Sequence, residues 1–366
     1  MRAEDTTRRP TAGAPLRKGW TTGACATAAT KAALEALLTG EFPDPVTITL
    51  PGGQEPAFTL REHVLDGESA TAAIVKDAGD DPDVTHGAVV RSTVAPSGSG
   101  RGIVFLAAPG VGRVTRPGLP IPPGEPAINP VPRRMMSEAV VDLCERHGVG
   151  TDWSIAIGID GGEALASKTW NPRLGIEGGL SVLGTTGIVN PFSCASWIHS
   201  IHRGVDVARA ACLPRVIAAT GSTSEATART LRPDVPEIGL IDMGDFAGGF
   251  LKYVRAHPLP AVTIAGGFAK MTKLAQGALD LHSSRSEVSL SDLAALAPTE
   301  GLASAIRQSN TAAHALALAT AERVDLGADI ARMARERALD VLRGAAVAVE
   351  TIVVDRSGTV VGRAGE

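Results

Sequence analysis

Two α/β domains are predicted: a mixed α+β domain first, then a Rossmann-like, doubly wound parallel sheet. Three observations lead there. The chain has 366 residues, more than one hydrophobic core usually supports. Its first half mixes helical periodicity with short alternating, antiparallel-type runs. From about residue 180 it repeats an apolar run, a loop of small residues and a helical segment, the rhythm of a parallel sheet. Hydrophobic residues make up 44% and aromatics only 3%, so Ala, Val, Leu and Ile must fill the cores.

In order along the chain, residues 1–15 are polar and charged without the apolar run of a signal peptide, and are expected to be a disordered tail. The α+β domain is expected over residues 16–175. A helix is predicted over Thr21–Gly40, with Thr22 as its cap and Gly40 as its stop. Ala24, Ala28 and Ala32 give that helix a stripe of small residues along which another backbone can approach. Val46, Ile48 and Leu50 alternate, Pro51-Gly52-Gly53 turns, and Phe58 and Leu60 alternate again, as in a hairpin. Ala73–Val75, Val89–Val94 and Ile103–Ala107 read as strands, and Pro117–Pro132 as irregular chain. A helix from about Arg133 to His147 buries Met136, Val140 and Leu143 and ends at Gly148, and Trp153–Gly158 is a further strand.

The second domain is expected over residues 176–366. Its strand-then-loop units are Leu180–Gly184, Val216–Ser224, Ile238–Gly244 and Ala261–Gly267. Helices are predicted at Ser196–Ala211, Ser224–Leu231, Phe246–Ala256 and Met271–Leu279, with one Ala-rich helical stretch over Gly301–Arg343. Ala348–Val354 and Thr359–Val361 close the chain as a strand pair.

A net charge of −4 argues against a general nucleic-acid binder. The four cysteines, Cys25, Cys144, Cys194 and Cys212, form no C-x-x-C pair, which suits a reduced, cytoplasmic setting. No apolar run is long enough for a membrane span, so no membrane partner is expected, and homo-oligomerisation is left open.

In open α/β sheets, ligands bind outside the carboxyl ends of the strands. The loops Gly184-Thr185-Thr186-Gly187 and Thr220-Gly221-Ser222 are therefore candidate cofactor contacts, and Asp242, ending a strand, could accept from ribose hydroxyls. The G-x-G-x-x-G fingerprint is missing. Gly244–Gly249 has the glycines of a phosphate loop but is followed by Phe250 and Leu251 in place of Lys and Ser/Thr, which excludes a nucleoside-triphosphate reading. Scattered cations suit a ligand with several carboxylates: Arg113 and Arg116 in one loop, Arg133 and Arg134 at a helix start, and Lys270, Lys273 and Arg285 further on. The acidic run of Asp77, Asp80, Asp81 and Asp83 before Thr85-His86 does not match a calcium loop, and Asp81 and His86 are candidate proton acceptors. Cys194, His199 and His202 lack a further ligand at matching spacing, so no metal site is predicted. No G-x-S-x-G or H-E-x-x-H motif supports hydrolase chemistry.

Several segments in order resemble the cobalt-precorrin-5B (C1)-methyltransferase family of anaerobic cobalamin biosynthesis. They are Gly19–Ala29, Val75–Gly87, Gly110–Leu119, Ala127–Arg133, Leu180–Pro191, Gly266–Lys270 and His282–Arg285. The resemblance implies S-adenosylmethionine as methyl donor, a ring-contracted cobalt corrinoid as acceptor and cobalt-precorrin-6A as product. On that basis the donor is expected against Gly184–Gly187, Thr220–Ser222 and Asp242. The corrinoid carboxylates are expected at Thr21, Thr22, Gly23, Arg113, Arg116, Arg133, Arg134, Lys270 and Arg285. A non-catalytic corrinoid carrier and a nicotinamide-dependent corrinoid reductase are the alternatives.

Overall fold

A computed structural model describes residues 15–365, so the expected tail lies outside the described residues except for Pro15. The chain is mixed α/β and divides into two compact units. The first comprises residues up to Thr115 together with Pro120–Ser193; the second comprises Arg116–Leu119 together with residues from Cys194 onward. The division therefore falls at Ser193, not at residue 175 as expected. Backbone pairing explains the difference. Gly179–Leu180 runs parallel to Gly110–Val111, and Ile188–Val189 runs antiparallel to Gly19–Trp20, so the 176–193 stretch is hydrogen-bonded into the first unit.

The first unit is built on a five-stranded sheet in the order Glu62–Asp66, Ser69–Val75, Val89–Pro96, Trp153–Ile159, Val104–Ala107. All neighbours are antiparallel except the last two, which are parallel. Glu62–Asp66 was not anticipated: all five of its residues are exposed, so it has no apolar face to reveal it. The expected hairpin forms, with Val46–Thr47 pairing Ala57–Phe58 and Leu50 N–H donating to Gln54 O at 2.8 Å.

Helix Thr22–Thr39 packs against this sheet and against helix Pro130–His147. Its cap is Thr21, one residue earlier than expected, whose hydroxyl accepts from Ala24 N–H at 3.2 Å. Gly40 ends it with φ 88°. Ala24, Ala28 and Ala32 are fully buried, as a helix seated closely on its neighbours requires. The buried Thr30 and Ser92 hydroxyls satisfy one another at 2.8 Å, which removes the cost of leaving either unpaired. The second helix begins at Pro130, earlier than Arg133, because proline is well suited to a first helical turn.

The second unit holds a five-stranded sheet in the order Leu240–Asp242, Val216–Ala219, Ala261–Gly267, Ala348–Val354, Val360–Ala364. The first four strands are parallel and the last is antiparallel. Val216, Ala218, Val262 and Ile264 pack with Ile201, Phe250 and Ala331 in the main core, while Ile217, Ala265 and Ile352 pack with Ala228 in a separate cluster. Burial on both faces explains why these strands are continuous apolar runs rather than alternating ones. The Leu180 run does not join this sheet. The Gly301–Arg343 stretch is not one helix but three, Glu300–Arg307, Ala312–Ala321 and Leu326–Leu342. Thr299, Thr311 and Asp325 each cap one of them by accepting a backbone N–H, which turns compositional helix into separate segments.

Candidate functional site

In the first unit, chain segments far apart in sequence are laced together around the start of helix Thr22–Thr39. Thr21 N–H donates to Gly187 O at 3.0 Å, and Gly23 N–H donates to Leu183 O at 3.0 Å. Thr22 Oγ1 lies 3.2 Å from both the N and the O of Leu183. Asn129 N–H and Nδ2–H both donate to Val182 O, at 2.9 and 3.2 Å. The approach is close enough to demand glycine at position 184: φ is 139°, and a Cβ there would lie 2.2 Å from Thr21 Oγ1. On the other side, Trp20 N–H donates to Asp77 O at 2.7 Å, so Gly19–Trp20 lies between the Ile188–Val189 strand and the acidic loop. A Cβ on Gly19 would meet Ala78 backbone at 2.0 Å.

These contacts revise two expectations. The N–H groups of Gly23 and Ala24 are taken by Leu183 O and Thr21 Oγ1, so this helix start shapes a loop and does not present those donors to a carboxylate. Gly184 and Gly187 belong to the first unit, whereas Thr220–Ser222 and Asp242 belong to the second. Thr185 and Thr186 are exposed on that first-unit loop.

The acidic run is a built loop. Lys76 is fully buried, with its ammonium paired to Asp83 and donating to Thr85 Oγ1 at 2.7 Å. Asp77 pairs with Arg17, and Asp80 accepts from Arg17 N–H at 2.6 Å. Arg17 is the foremost reason that the Asp77 carboxyl sits below its ordinary value. Asp81 Oδ1 accepts from Phe192 N–H at 2.8 Å. His86 is exposed, and its Nδ1 accepts from Ala78 N–H at 3.1 Å. The neutral ring therefore carries its proton on Nε2, and Nδ1 is engaged while that bond lasts.

The paired arginines part company. Arg133 is partly buried: Nε donates to Ile128 O at 2.8 Å, Nη1 and Nη2 to Glu125 at 3.1 Å, and Nη2 also to Pro126 O at 3.0 Å. Its guanidinium holds the turn before its own helix, so no bound anion is needed to explain a cation there. Arg134 is exposed, 3.7 Å from Glu138. Arg113 is exposed and donates to Gly124 O at 3.1 Å. Arg116 is exposed and falls in the second unit, as do Lys270 and Arg285. Arg285 pairs with Asp280 and donates to Cys194 Sγ at 3.2 Å. Lys273 is buried and donates to Leu281 O at 2.9 Å.

The second unit's strand ends form the other candidate surface. Val216–Ala219 leads into buried Thr220, then exposed Gly221 and Ser222, where helix Ser222–Leu231 starts. The neighbouring strand ends at Asp242, followed by Gly244 and Asp245. Lys270 crosses these loops, donating to Thr220 O at 2.9 Å and standing 2.9 Å from Asp245. Trp197 is 44% exposed, and its indole N–H donates to Asp242 O at 3.2 Å. The two histidines considered with Cys194 lie apart in role: His202 stacks on Tyr253 with ring centroids 3.9 Å apart, while His199 is exposed. Among the described residues, no helix is long and apolar enough to cross a membrane.

Family models complete the picture. A model described as CbiD matches residues 9–191, ending beside the Ser193 end of the first unit, and one described as CbiD, C-terminal domain, matches residues 280–365. The chain belongs to the CbiD family. This CbiD chain is 61% identical over 354 residues to the Brucella anthropi protein named cobalt-precorrin-5B C(1)-methyltransferase, covering 96% of each chain. It is 59% identical, at the same coverage, to Brucella abortus proteins of that name. Among solved structures it is similar to the cobalamin biosynthesis protein (cbiD) from Archaeoglobus fulgidus, at 26% identity and a TM-score of 0.40, over 69% of this chain and 77% of that one.

Sequence reading missed Lys76, Asn129, Phe192 and Trp197. A lysine between a strand and an acidic run looks solvated, and only its packing shows that it is buried. Trp197 carried a usable signal: a large aromatic in an aromatic-poor chain, at the opening of a helix.

Proposed function

We propose that the chain methylates C1 of cobalt-precorrin-5B, with S-adenosylmethionine as donor, to give cobalt-precorrin-6A. The observation that carries this reading is the 61% identity, along nearly the whole chain, to a protein named for that reaction. We read the second unit as Rossmann-like and assign the donor to its strand ends. A carboxylate at Asp242, the buried Thr220 hydroxyl, small residues in the turn and the start of a ten-residue helix at Ser222 suit a ligand with a ribose and a carboxylate. Gly184–Gly187 leave the donor side in this assignment, and the corrinoid goes to the first unit's laced loops.

The donor supplies an electrophilic methyl group on a sulfonium, open to in-line attack by carbon. The chain's task is then to hold and orient: positioning is worth up to roughly 7–11 kcal/mol in favourable cases. No side-chain nucleophile is required, and the cobalt arrives with the substrate. Arg113 and Arg134 remain exposed for peripheral carboxylates, whereas Arg133 serves by holding the turn beside them. We place the activity in the cytoplasm, where four free thiols are stable.

Labelled S-adenosylmethionine incubated with cobalt-precorrin-5B and the full chain should yield a labelled corrinoid. Corrinoid binding with no transfer of label would make the protein a carrier, and corrinoid-dependent oxidation of a reduced nicotinamide would make it a reductase. Calorimetry on Asp242→Ala should show weakened donor binding; unchanged affinity would refute the donor assignment.

A further inference from the structure

We infer that Phe192 is a contact residue for the face of the corrinoid ring and that Asp81 is the residue that positions it, an inference resting on the corrinoid reading above. Phe192 is 65% exposed, in a chain with only seven phenylalanines. Its φ of 57° lies in the left-handed region, which a bulky residue seldom occupies. A turn that needs positive φ after a proline ordinarily takes glycine or asparagine, and Pro191 stands immediately before. A benzyl side chain at this position therefore costs backbone strain and recovers little by burial. Such a conformation persists only where the surroundings hold it, and it is a reason to look for use.

The surroundings do hold it. Phe192 N–H donates to Asp81 Oδ1 at 2.8 Å. Asp81 lies in the loop anchored beneath by buried Lys76, through Asp83 and Thr85. The segment that leads to Phe192 is anchored too, since Ile188 and Val189 pair with Trp20 and Gly19, and Trp20 N–H donates to Asp77 O. The aromatic ring thus projects from one hydrogen-bonded layer made of segments far apart in sequence. Leu183, on the same 180–192 segment, is 52% exposed. A corrinoid presents a broad ring face with carboxylates at its edge. Exposed apolar and aromatic groups on a rigid support fit the face, and guanidinium groups fit the edge.

This assignment gives Asp81 a different task from proton transfer, and the two are separable. An asparagine oxygen at position 81 can accept the Phe192 N–H as the carboxylate does, but it cannot take up a proton at neutral pH.

The test is steady-state methyl transfer by the full-length chain, with the KM for each substrate measured separately. Phe192→Ala should raise the KM for cobalt-precorrin-5B about tenfold, leaving the KM for S-adenosylmethionine in place and changing kcat far less. Asp81→Ala should reproduce that pattern, and Asp81→Asn should restore the corrinoid KM. An unchanged corrinoid KM in Phe192→Ala overturns the contact. Loss of kcat in Asp81→Asn equal to that in Asp81→Ala overturns the positioning role in favour of a proton acceptor. Should the wild-type chain transfer no label, the proposed reaction fails on its own account. Titration of cobalt-precorrin-5B, followed by its visible absorbance, then decides the contact: about tenfold weaker binding to Phe192→Ala supports it, and equal binding overturns it.

Discussion

Replacing Asp83 with alanine strands a buried charge. The Lys76 side chain is 1% exposed, and its ammonium is held by the Asp83 carboxylate and by Thr85 Oγ1 at 2.7 Å. Removing one partner of a buried pair costs about 3–5 kcal/mol, mostly for the charge left behind. Asp83 itself is 25% exposed, so water can partly replace it, and the low end, about 3 kcal/mol, is expected. With a urea slope of about 3 kcal/mol/M, the midpoint of the transition followed by circular dichroism should fall by about 1 M. Lys76→Met combined with Asp83→Ala should recover most of that loss, because the stranded charge goes with its partner. A shift below about 0.3 M, or a double variant no more stable than Asp83→Ala, would refute the reasoning. The pH dependence has a definite sign. Burial pushes the Asp83 carboxyl upward, but Lys76 and Thr85 outweigh it and leave it below its ordinary value. A carboxyl with a depressed folded-state pKa contributes stability above its unfolded value, about pH 4, and loses it as pH falls through the folded one. The stability gap between the wild type and Asp83→Asn should therefore narrow on acidification below about pH 4.

Other outcomes follow from single contacts. Burial pushes the Cys25 thiol up to about 12, whereas Cys212 is exposed; a thiol reagent at pH about 8 should label Cys212 in the native protein and Cys25 only after unfolding, and native labelling of Cys25 would contradict the packing. Arg133→Ala should lower stability by about 2 kcal/mol, because Glu125, Ile128 O and Pro126 O lose a shared donor, while Arg134→Ala should leave the urea midpoint in place; equal effects would refute the division of roles. Gly184→Ala sets a methyl against Thr21 in a backbone region that suits glycine, and calorimetry should show Tm falling by roughly 5 °C; an unchanged Tm would contradict the close approach.

Local signals in the chain were enough to find most elements. Gly40 and Gly148 stop helices because glycine adopts positive φ freely, and each does so here. The alternation of Val46, Ile48 and Leu50 made a hairpin because pleated backbone sends alternate side chains to one face. The apolar runs at Val216 and Ala261 yielded parallel strands because strands covered on both faces need no polar side; the run at Ile238 did so only from Leu240, since Glu237–Gly239 forms a 3-10 turn. The capping signals at Thr311 and Asp325 were also local, but the Ala-rich composition around them obscured where one helix stopped and another began.

By itself, then, the sequence determined the mixed α/β class, most of the elements and the family likeness, because periodicity, capping and ordered motifs are properties of short stretches. Only the tertiary structure decided where Leu180–Pro191 belongs. An apolar run ending in glycine looks the same whether it joins a parallel sheet or, as here, pairs for two residues with Gly110–Val111 and closes over the start of a helix. The same holds for charge. Arg133 and Arg134 are equal cations in sequence, and only the placement of Glu125 and two carbonyls leaves one spent and the other exposed. Lys76 reads as surface and lies in the core, because a buried ammonium needs partners that the fold alone brings to it.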